Sequence, residues 1–357
     1  MQTRSIVAVE SIDGDVRAAV RRALASAEWK RVVPRGAAVS LKVNLGWDQF
    51  LPGSITSPLF AESLILELRD HVGKIYMVEA DQVLEDVEKA FRASGMAEVC
   101  RRTGVEWVNM SRHRGAQRVE APANTILRHI DVPEVLRRTL LITVPVMKTH
   151  AKTRLSGSLK NQWGCLPEMR HEYHLVLDEA LADLNSVIRP VLSVMDATVA
   201  LEGNGPKSGR PRIVDRVLCS TDPVALDTIQ AILMGLDPAD VAHLSRCAER
   251  GIGTNDRAEI DVRGLVPEDQ RLNFQQARHN TVSIIETVLR KSVLKKLFFN
   301  TPVFRLCLKG AKSYYRIWGL MNREKLFEPV LAHAIYGPQW RPDWPGCAHD
   351  PPAVESV

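Results

Sequence analysis

Charged and amide side chains stand at the ends of several short apolar runs, where packing alone does not require them. These polar positions are Lys42, Asn44, Glu79, Asp81, Lys148, His150 and Asp196. In an open parallel sheet the carboxyl ends of the strands share one edge, and ligands bind in the crevice beside it. Lysines, a histidine and carboxylates in one crevice suit an anionic substrate, a hard or borderline cation, or both. The sequence therefore predicts a polar site built from segments that are far apart in the chain.

The segment from Pro145 to His150 carries the first motif, and Lys160 with Asn161 follows ten residues later. Lys148 and His150 are two residues apart, so their side chains point to the same side of an extended strand. An ammonium group can hold a carboxylate or phosphate while the imidazole transfers a proton near neutral pH. The alternative is a solvated lysine beside a loop histidine that caps backbone groups. Spacing alone favours that alternative.

The second motif is the glycine-rich turn at Gly203, Asn204 and Gly205, which Asp196 and Glu202 precede. Glycines allow a tight turn whose backbone N–H groups converge on an anion. The two carboxylates could bind a metal ion or act as acid and base. Equally, the turn could simply reverse the chain while Asp196 caps backbone donors.

Further carboxylates and histidines fit structural and functional interpretations. Asp222 before Pro223 is typical of a helix cap, and Asp227 lies one turn inside that helix, where it could face the same crevice. The helix dipole alone also favours acids in a first turn. His171 and His174 are three residues apart and adjacent on a helix, but their spacing is not that of a zinc protease. We interpret them as a surface pair.

Short apolar runs that alternate with amphipathic stretches must position these residues. The runs cover residues 5–9, 39–44, 75–79, 105–109, 140–144, 191–195 and 216–219. Helices are expected to start at Ser57-Pro58, Asp222-Pro223 and Asp237-Pro238, and an apolar stripe predicts another helix over 175–188. This alternation predicts an α/β fold with a largely parallel open sheet and helices on both faces. The irregular region 117–135 suggests an inserted hairpin or subdomain.

The character of the chain changes after residue 265. We predict an α/β core domain over 1–265 and a C-terminal helical, basic and aromatic appendage with a Pro/Trp-rich tail over 266–357. Nine Lys and Arg residues and no acid occur between Thr287 and Arg323, so the net charge of +5 leaves 5 − 9 = −4 for the rest. Basic and aromatic residues together are typical of a helix at an anionic membrane surface. The alternative is a helix that packs its aromatics on the core and solvates its lysines.

Composition excludes several classes of protein. Hydrophobic residues are 45% and charged residues 25% of the 357 residues, which excludes collagenous, disordered and disulfide-rich chains. The basic residues form no stripe with interleaved aromatics in the body, so nucleic acid is not an expected partner. No apolar run is long enough to span a bilayer and no signal peptide is recognisable, so we expect a cytoplasmic location with peripheral membrane contact through 287–323 as an option. The six cysteines form no C-x-x-C pair, so no iron–sulphur cluster is expected.

Motifs that follow one another along the chain together resemble the family named domain of unknown function 362. They are Leu41 to Asn44, Thr56-Ser57-Pro58, Pro145 to His150, Leu159 to Gly164, Asp183-Leu184-Asn185, Asp196 with Glu202 to Pro206, and Asp222 to Asp227. The resemblance covers about residues 5–265 and implies an α/β domain with a shared set of polar residues. That set corresponds here to Lys42, Asn44, Glu79, Lys148, His150, Lys160, Asn161, Asp196, Glu202, Asn204, Asp222 and Asp227. Many members carry a cysteine-rich ferredoxin-like insertion, from which this chain departs.

We therefore predict an enzyme that acts on an anionic small molecule or carrier-bound acid by isomerisation, elimination or cyclisation. The predicted catalytic residues are Lys148, His150, Lys42, Lys160 and Glu202. The predicted binding residues are Asn44, Asn161, Asn204 and Gly205. A divalent metal ion, if one is used, would be held by Asp196, Glu79 and Asp227. The alternatives are a carrier that stores a cofactor or metal without catalysis, and an accessory protein at a membrane surface.

Overall fold

Most strands of the protein form one mixed sheet. The computed structural model describes residues 4–82, 86–112, 115–122, 126–167, 173, 175–277, 302–341 and 343–346. The strands are β1 (Ser5–Ser11), β2 (Ala38–Lys42), β3 (Lys74–Glu79), β4 (Glu106–Asn109), β5 (Gln117–Glu120), β6 (His129–Val132), β7 (Leu140–Thr143), β8 (Val146–His150), β9 (Arg154–Ser156), β10 (Leu192–Asn204), β11 (Ser208–Ser220) and β12 (Ile260–Gly264).

Helices connect and cover these strands. They are α1 (Val16–Ser26), α2 (Pro58–Leu68), α3 (Val87–Ala93), α4 (Met96–Thr103), α5 (Glu134–Arg138), α6 (Ser158–Asn161), α7 (Leu177–Val187), α8 (Pro223–Met234), α9 (Ala242–Glu249), α10 (Pro302–Met321), α11 (Arg323–Leu326) and α12 (Glu328–Leu331). Two predicted caps are confirmed: Ser57 accepts a hydrogen bond from Phe60 N at the start of α2, and Asp222 caps α8. The third, Asp237, caps a single turn of 3₁₀ helix.

The main sheet has the order β12-β1-β11-β10-β7-β2-β3-β4, with β8 and β9 attached to β10. Pairing is parallel from β10 through β7, β2 and β3 to β4, and also between β1 and β12. Strand β11 pairs antiparallel with both β1 and β10. The predicted α/β fold with a largely parallel sheet is therefore confirmed. The predicted irregular region contains a separate antiparallel hairpin of β5 and β6.

Both faces of the sheet are covered by helices. In β1, Ala8 packs with α1 and α2, whereas Val7 and Val9 pack with α8 and α9 on the opposite face. A third cluster on that opposite face joins Val78 of β3 to α5 and α7. Because successive residues of a strand point to opposite faces, this alternation separates the clusters.

The C-terminal segment packs on the first of these clusters. Phe327, Val330 and Tyr336 are buried among residues of α1 and α2. The Tyr336 hydroxyl donates to Asp215 Oδ1 at 2.6 Å, and Gln339 Oε1 accepts from Ser57 Oγ at 2.6 Å. The segment therefore contacts the core closely, and the predicted boundary at residue 265 stays a prediction. Within the described ranges, no helix combines the length and apolar character needed to cross a membrane.

The parallel strands β7, β2 and β3 bring their carboxyl ends to one edge of the sheet. Lys42 ends β2, beside Thr143 at the end of β7 and Val78 in β3. Glu79 ends β3. After Ser193, β10 separates from β7, and from Asp196 it pairs with β8, which carries Lys148. This edge is where the sequence predicts the site.

Candidate functional site

A buried ion pair between Lys42 and Glu79 forms the base of the site. Lys42 Nζ lies 2.7 Å from Glu79 Oε2, and both side chains are about 1% exposed. Lys42 also donates to the carbonyl of Val43, while Glu79 accepts from the backbone N–H groups of Leu45 and Ala80. Every charge in this pair is thus hydrogen-bonded, which a buried ion pair needs in order to be stable.

Two asparagines connect this pair to a second lysine. Asn161 Nδ2 donates to the carbonyl of Lys42 and to Thr143 Oγ1, both at 2.9 Å, so its Oδ1 faces Asn44. Asn44 Nδ2 donates to that oxygen at 3.1 Å, which leaves Asn44 Oδ1 to accept from Lys148 Nζ at 2.8 Å. The network fixes the orientation of both amides and the position of Lys148.

Lys148 is a buried amine whose partners are neutral. Its side chain is on β8, is 3% exposed, and donates to Asn44 Oδ1 and to the carbonyl of Ser54, each at 2.8 Å. Across the described residues, no carboxylate lies within ion-pair distance of Lys148. Burial, followed by the charges of Lys160 and Lys42, lowers the pKa of Lys148 to about 7, and the Glu79 carboxylate opposes that shift. An amine with such a pKa can exchange protons at neutral pH.

The short helix α6 delivers Lys160 and Asn161, and a buried carboxylate holds its first turn. Asp227 on α8 accepts from the backbone N–H groups of Ser158 at 2.6 Å and Leu159 at 2.9 Å. Burial raises the pKa of Asp227 to about 7, although these hydrogen bonds oppose the shift. At Gly157 a Cβ atom would lie 2.2 Å from Asp227 Oδ1. Asp227 therefore positions the helix and takes no place in the lining of the pocket.

These side chains surround a pocket of about 80 Å³. Its lining residues are Lys42, Asn44, Gly46, Ser54, Glu79, Gln82, Pro145, Val146, Lys148, Ser156, Gly157, Lys160, Asn161, Trp163, Gly164, Pro206 and Lys207. Gly164 has to lack a side chain, since a Cβ atom there would lie 2.3 Å from Glu79 Oε1 and 2.6 Å from Lys42 Nζ. A wider hollow of about 920 Å³ lies elsewhere, beside Asp222 and the loop at 251–259.

The structure thus brings six of the predicted residues together in one pocket. They are Lys42, Asn44, Glu79, Lys148, Lys160 and Asn161. Trp163, Gln82 and Lys207 also line the pocket, and sequence reasoning assigned them no role. Lys207 could have been found from its position, because it lies two residues after the glycine-rich turn that was predicted to hold an anion. Its Nζ lies 4.2 Å from the ring centre of Trp47.

His150 is not part of the pocket lining. Its Nδ1 lies within hydrogen-bonding distance of the backbone N–H groups of Lys152 and Thr153 and of the Thr153 hydroxyl. The imidazole therefore caps the turn between β8 and β9. His150 is the last residue of β8 and pairs with Arg154 of β9, and its catalytic role stays a prediction.

Of the glycine-rich motif around Gly203 to Gly205, the residues that follow the turn line the pocket, whereas Asp196 and Glu202 do not. Glu202 accepts from Arg212 at 3.2 Å and lies outside the pocket lining. Asn204 lies at the end of β10, and at Gly205 a Cβ atom would lie 2.3 Å from the carbonyl oxygen of Thr149. Close packing therefore explains Gly205, and the turn places the next two residues at the pocket.

The predicted metal ligands are held by separate partners. Asp196 accepts from the backbone N–H groups of Ser57 and Thr198 and from the Thr198 hydroxyl, and burial raises its pKa to about 6. Glu79 is paired with Lys42, and Asp227 holds α6. In the part of the chain that the structure describes, no three His, Cys, Asp or Glu side chains are grouped to bind a metal ion. His171 and His174 lie outside the described residues.

Comparison with known proteins adds three similarities. A family model described as Domain of unknown function (DUF362) matches residues 39–231, more than half of the chain. A thylakoid-associated protein of Synechocystis sp. is 32% identical over 133 residues, which are 35% of this chain and 41% of that protein. The chain thus matches about two fifths of that relative's length. The lactate racemase apoprotein from Thermoanaerobacterium thermosaccharolyticum shares 11% identity with a TM-score of 0.39, covering 70% of this chain and 57% of that chain.

The buried Lys148 amine predicts a pH dependence of stability. The folded-state pKa of about 7 lies below the ordinary value of 10.5, so the unfolded chain binds more protons between these pH values. The contribution of Lys148 to the free energy of unfolding should therefore rise by up to about 1.4 kcal/mol per pH unit in that window and stay constant below it. Urea unfolding at pH 7, 8 and 9 would show the stability advantage of Lys148→Met over wild type shrinking as pH rises. A constant difference, like that expected for the exposed control Lys325→Met, would contradict the assignment.

Proposed function

The chain belongs to the DUF362 family, and we propose that it is an enzyme that binds an anionic small molecule or carrier-bound acid in this pocket and moves a proton on it. The observation that carries the proposal is the charge of the lining. Among the described residues, four lysines and one carboxylate line the pocket, and that carboxylate is paired with Lys42. An anionic ligand would complement this excess of positive charge in the lining.

Lys148 is the group that we assign to proton transfer. A side-chain amine that titrates near neutral pH can remove a proton from carbon and return it. Lys160 and Lys207 line the same pocket, and their positive charges would stabilise the enolate-like anion that forms when a proton next to a carbonyl is lost. Isomerisation, elimination and cyclisation all proceed through such an anion. We thus assign to Lys148 the proton-transfer role that the sequence analysis predicted for His150.

Solvent exchange tests this function before the substrate is known. A panel of short 2-oxo and 3-oxo acids and their thioesters would be incubated in D₂O and followed by ¹H NMR. Wild type should introduce deuterium at the carbon next to the carbonyl. Lys148→Met should lose about 100-fold in rate or more, since positioned acid–base groups contribute on the order of 10²–10⁴.

His150→Ala is the matched control and should exchange within about threefold of wild type, because the imidazole lies outside the pocket lining and a positioned acid–base group would contribute far more. A ligand that binds one-to-one without any exchange would contradict the enzyme proposal and favour a carrier. Equal loss in the two variants would contradict the assignment of proton transfer to Lys148.

We also propose that α10 contacts an anionic membrane surface. The helix has four Lys and Arg residues and no acid. Tyr315 and Trp318 pack against the core, while Ile317, Leu320 and Met321 are 57%, 68% and 80% exposed. Apolar residues with flanking positive charge are typical of interfacial helices. The thylakoid association in the name of the Synechocystis relative supports this proposal.

Vesicle co-sedimentation tests the membrane contact. Wild type should bind phosphatidylglycerol vesicles more than phosphatidylcholine vesicles, and added salt should weaken the binding. The double variant Ile317→Ser, Leu320→Ser should reduce partitioning by about fivefold or more, since each loses apolar area at the contact. Val266→Ser, at an exposed residue of another loop, is the control. Unchanged binding by the double variant, or no binding by wild type, would contradict the proposal.

A further inference from the structure

Lys148 and Lys42 are both buried at the same edge of the sheet, but their surroundings differ in kind. Lys42 has a carboxylate at 2.7 Å, together with the carbonyl of Val43 and a longer contact to Asn161. Lys148 has two partners, and both are neutral oxygen acceptors. Lys42 therefore has the surroundings of an ammonium ion, and Lys148 those of an amine.

The number of hydrogen-bond acceptors around Lys148 Nζ matches the number of N–H bonds in a neutral amine. A neutral amine has two N–H bonds and one lone pair, whereas an ammonium group has three N–H bonds and no lone pair. Asn44 Oδ1 and the carbonyl of Ser54 accept both hydrogens at 2.8 Å. Over the described part of the chain, Lys148 Nζ has no third acceptor, so the lone pair is left for a group in the pocket that Lys148 lines.

The amide network holds the amine in this arrangement. Asn44 cannot rotate to present its NH₂ group to Lys148 without losing its bond to Asn161, whose own amide is fixed by two acceptors. The groups that face Lys148 electrostatically are Lys160 and Lys42, which favour the neutral form, and Glu79, which favours the charged form. A lysine desolvated beside other cations is the setting in which lysine acts as a nucleophile.

We propose that Lys148 Nζ forms an imine with small anionic carbonyl compounds, of which short 2-oxo acids are the class that fits. The inference rests on the proposed function, since it uses the same pocket and the same class of ligand. A 2-oxo acid combines a carboxylate for Lys160 or Lys207 with an adjacent carbonyl for Lys148. A volume of about 80 Å³ equals roughly two to three water molecules, which suits a short chain.

The step balances without a further reactant. The amine lone pair attacks the carbonyl carbon, and a proton moves from nitrogen to the carbonyl oxygen to give a carbinolamine. The C–O bond then breaks, the second nitrogen hydrogen leaves with the oxygen as water, and a C=N bond remains. One amine and one ketone thus give one imine and one water molecule. No oxidant or reductant takes part.

Reductive trapping tests the imine. Full-length wild type would be incubated at pH 7 with pyruvate or glyoxylate and cyanoborohydride, and then analysed by intact mass and peptide mapping. The neutral fraction of an amine with a pKa of about 7 exceeds that of an ordinary lysine on the order of 10³-fold at this pH. We therefore expect a single reduced adduct at Lys148, with at least about tenfold higher occupancy than at any other lysine, since nucleophilicity falls with pKa and offsets part of that advantage.

Two variants and a competitor complete the experiment. Lys148→Arg should lose the adduct, Lys325→Arg on the exposed face of α11 should keep it, and propionate, which has no ketone, should compete with trapping. If Lys148→Arg does not fold, the peptide map of the wild-type protein still tests the proposal, because it shows which lysine carries the adduct. Labelling spread over surface lysines, or labelling at Lys160 or Lys207 in preference to Lys148, would overturn the inference.

The outcome is separable from that of the deuterium exchange. Exchange without any trapped adduct would overturn the imine and leave the proton-transfer function standing. A trapped adduct at Lys148 without exchange would support the imine and contradict the proton-transfer function. Absence of both would contradict both.

Discussion

The site depends on an imbalance of charge: the described residues that line its pocket include four lysines and one carboxylate, and that carboxylate is paired with Lys42. The buried pair of Lys42 and Glu79 is complete in its hydrogen bonds. Lys148 is therefore buried with no counter-charge among the described residues. Removing an ion from water is unfavourable unless it is paired, and an unpaired buried amine loses its proton more readily instead. The reactivity that we assign to Lys148 follows from its burial without a counter-charge among these residues.

The rest of the fold maintains that arrangement. Parallel pairing of β7, β2 and β3 brings the two members of the ion pair together, and the separation of β10 from β7 makes room for β8 with Lys148. The buried carboxylate of Asp227 holds the first turn of α6, so that Asn161 can orient the amide of Asn44. Rigid elements of this kind keep a reactive group in place better than loops do. The carboxylates of Asp196, Glu79 and Asp227 are each hydrogen-bonded within this framework, and their role as metal ligands stays a prediction.

The sequence was sufficient for the fold because its signals are local. Apolar runs predicted the central strands, and Ser57-Pro58 and Asp222-Pro223 predicted two helix starts, since caps and first-turn prolines act within a few residues. Lys42 and Glu79 were predicted because each ends an apolar run, and Lys148 because it follows one, although the structure places Lys148 within β8. Contacts between residues that are far apart in the chain could not be predicted from such local signals. Glu202 pairs with Arg212 of the neighbouring antiparallel strand, and the His150 ring contacts backbone N–H groups of the turn after β8. The spacing of residues along the sequence predicts neither of these contacts.

The protonation state of Lys148 tests the account most directly. Lysine labelled with ¹³C at Cε would be incorporated into the full-length protein, and its chemical shift followed by NMR from pH 5 to 11, with Lys148→Arg identifying the signal. The account predicts one lysine that titrates near pH 7, more than three units below the ordinary value of 10.5. A Lys148 signal that stays in the ammonium form up to pH 10 would contradict it.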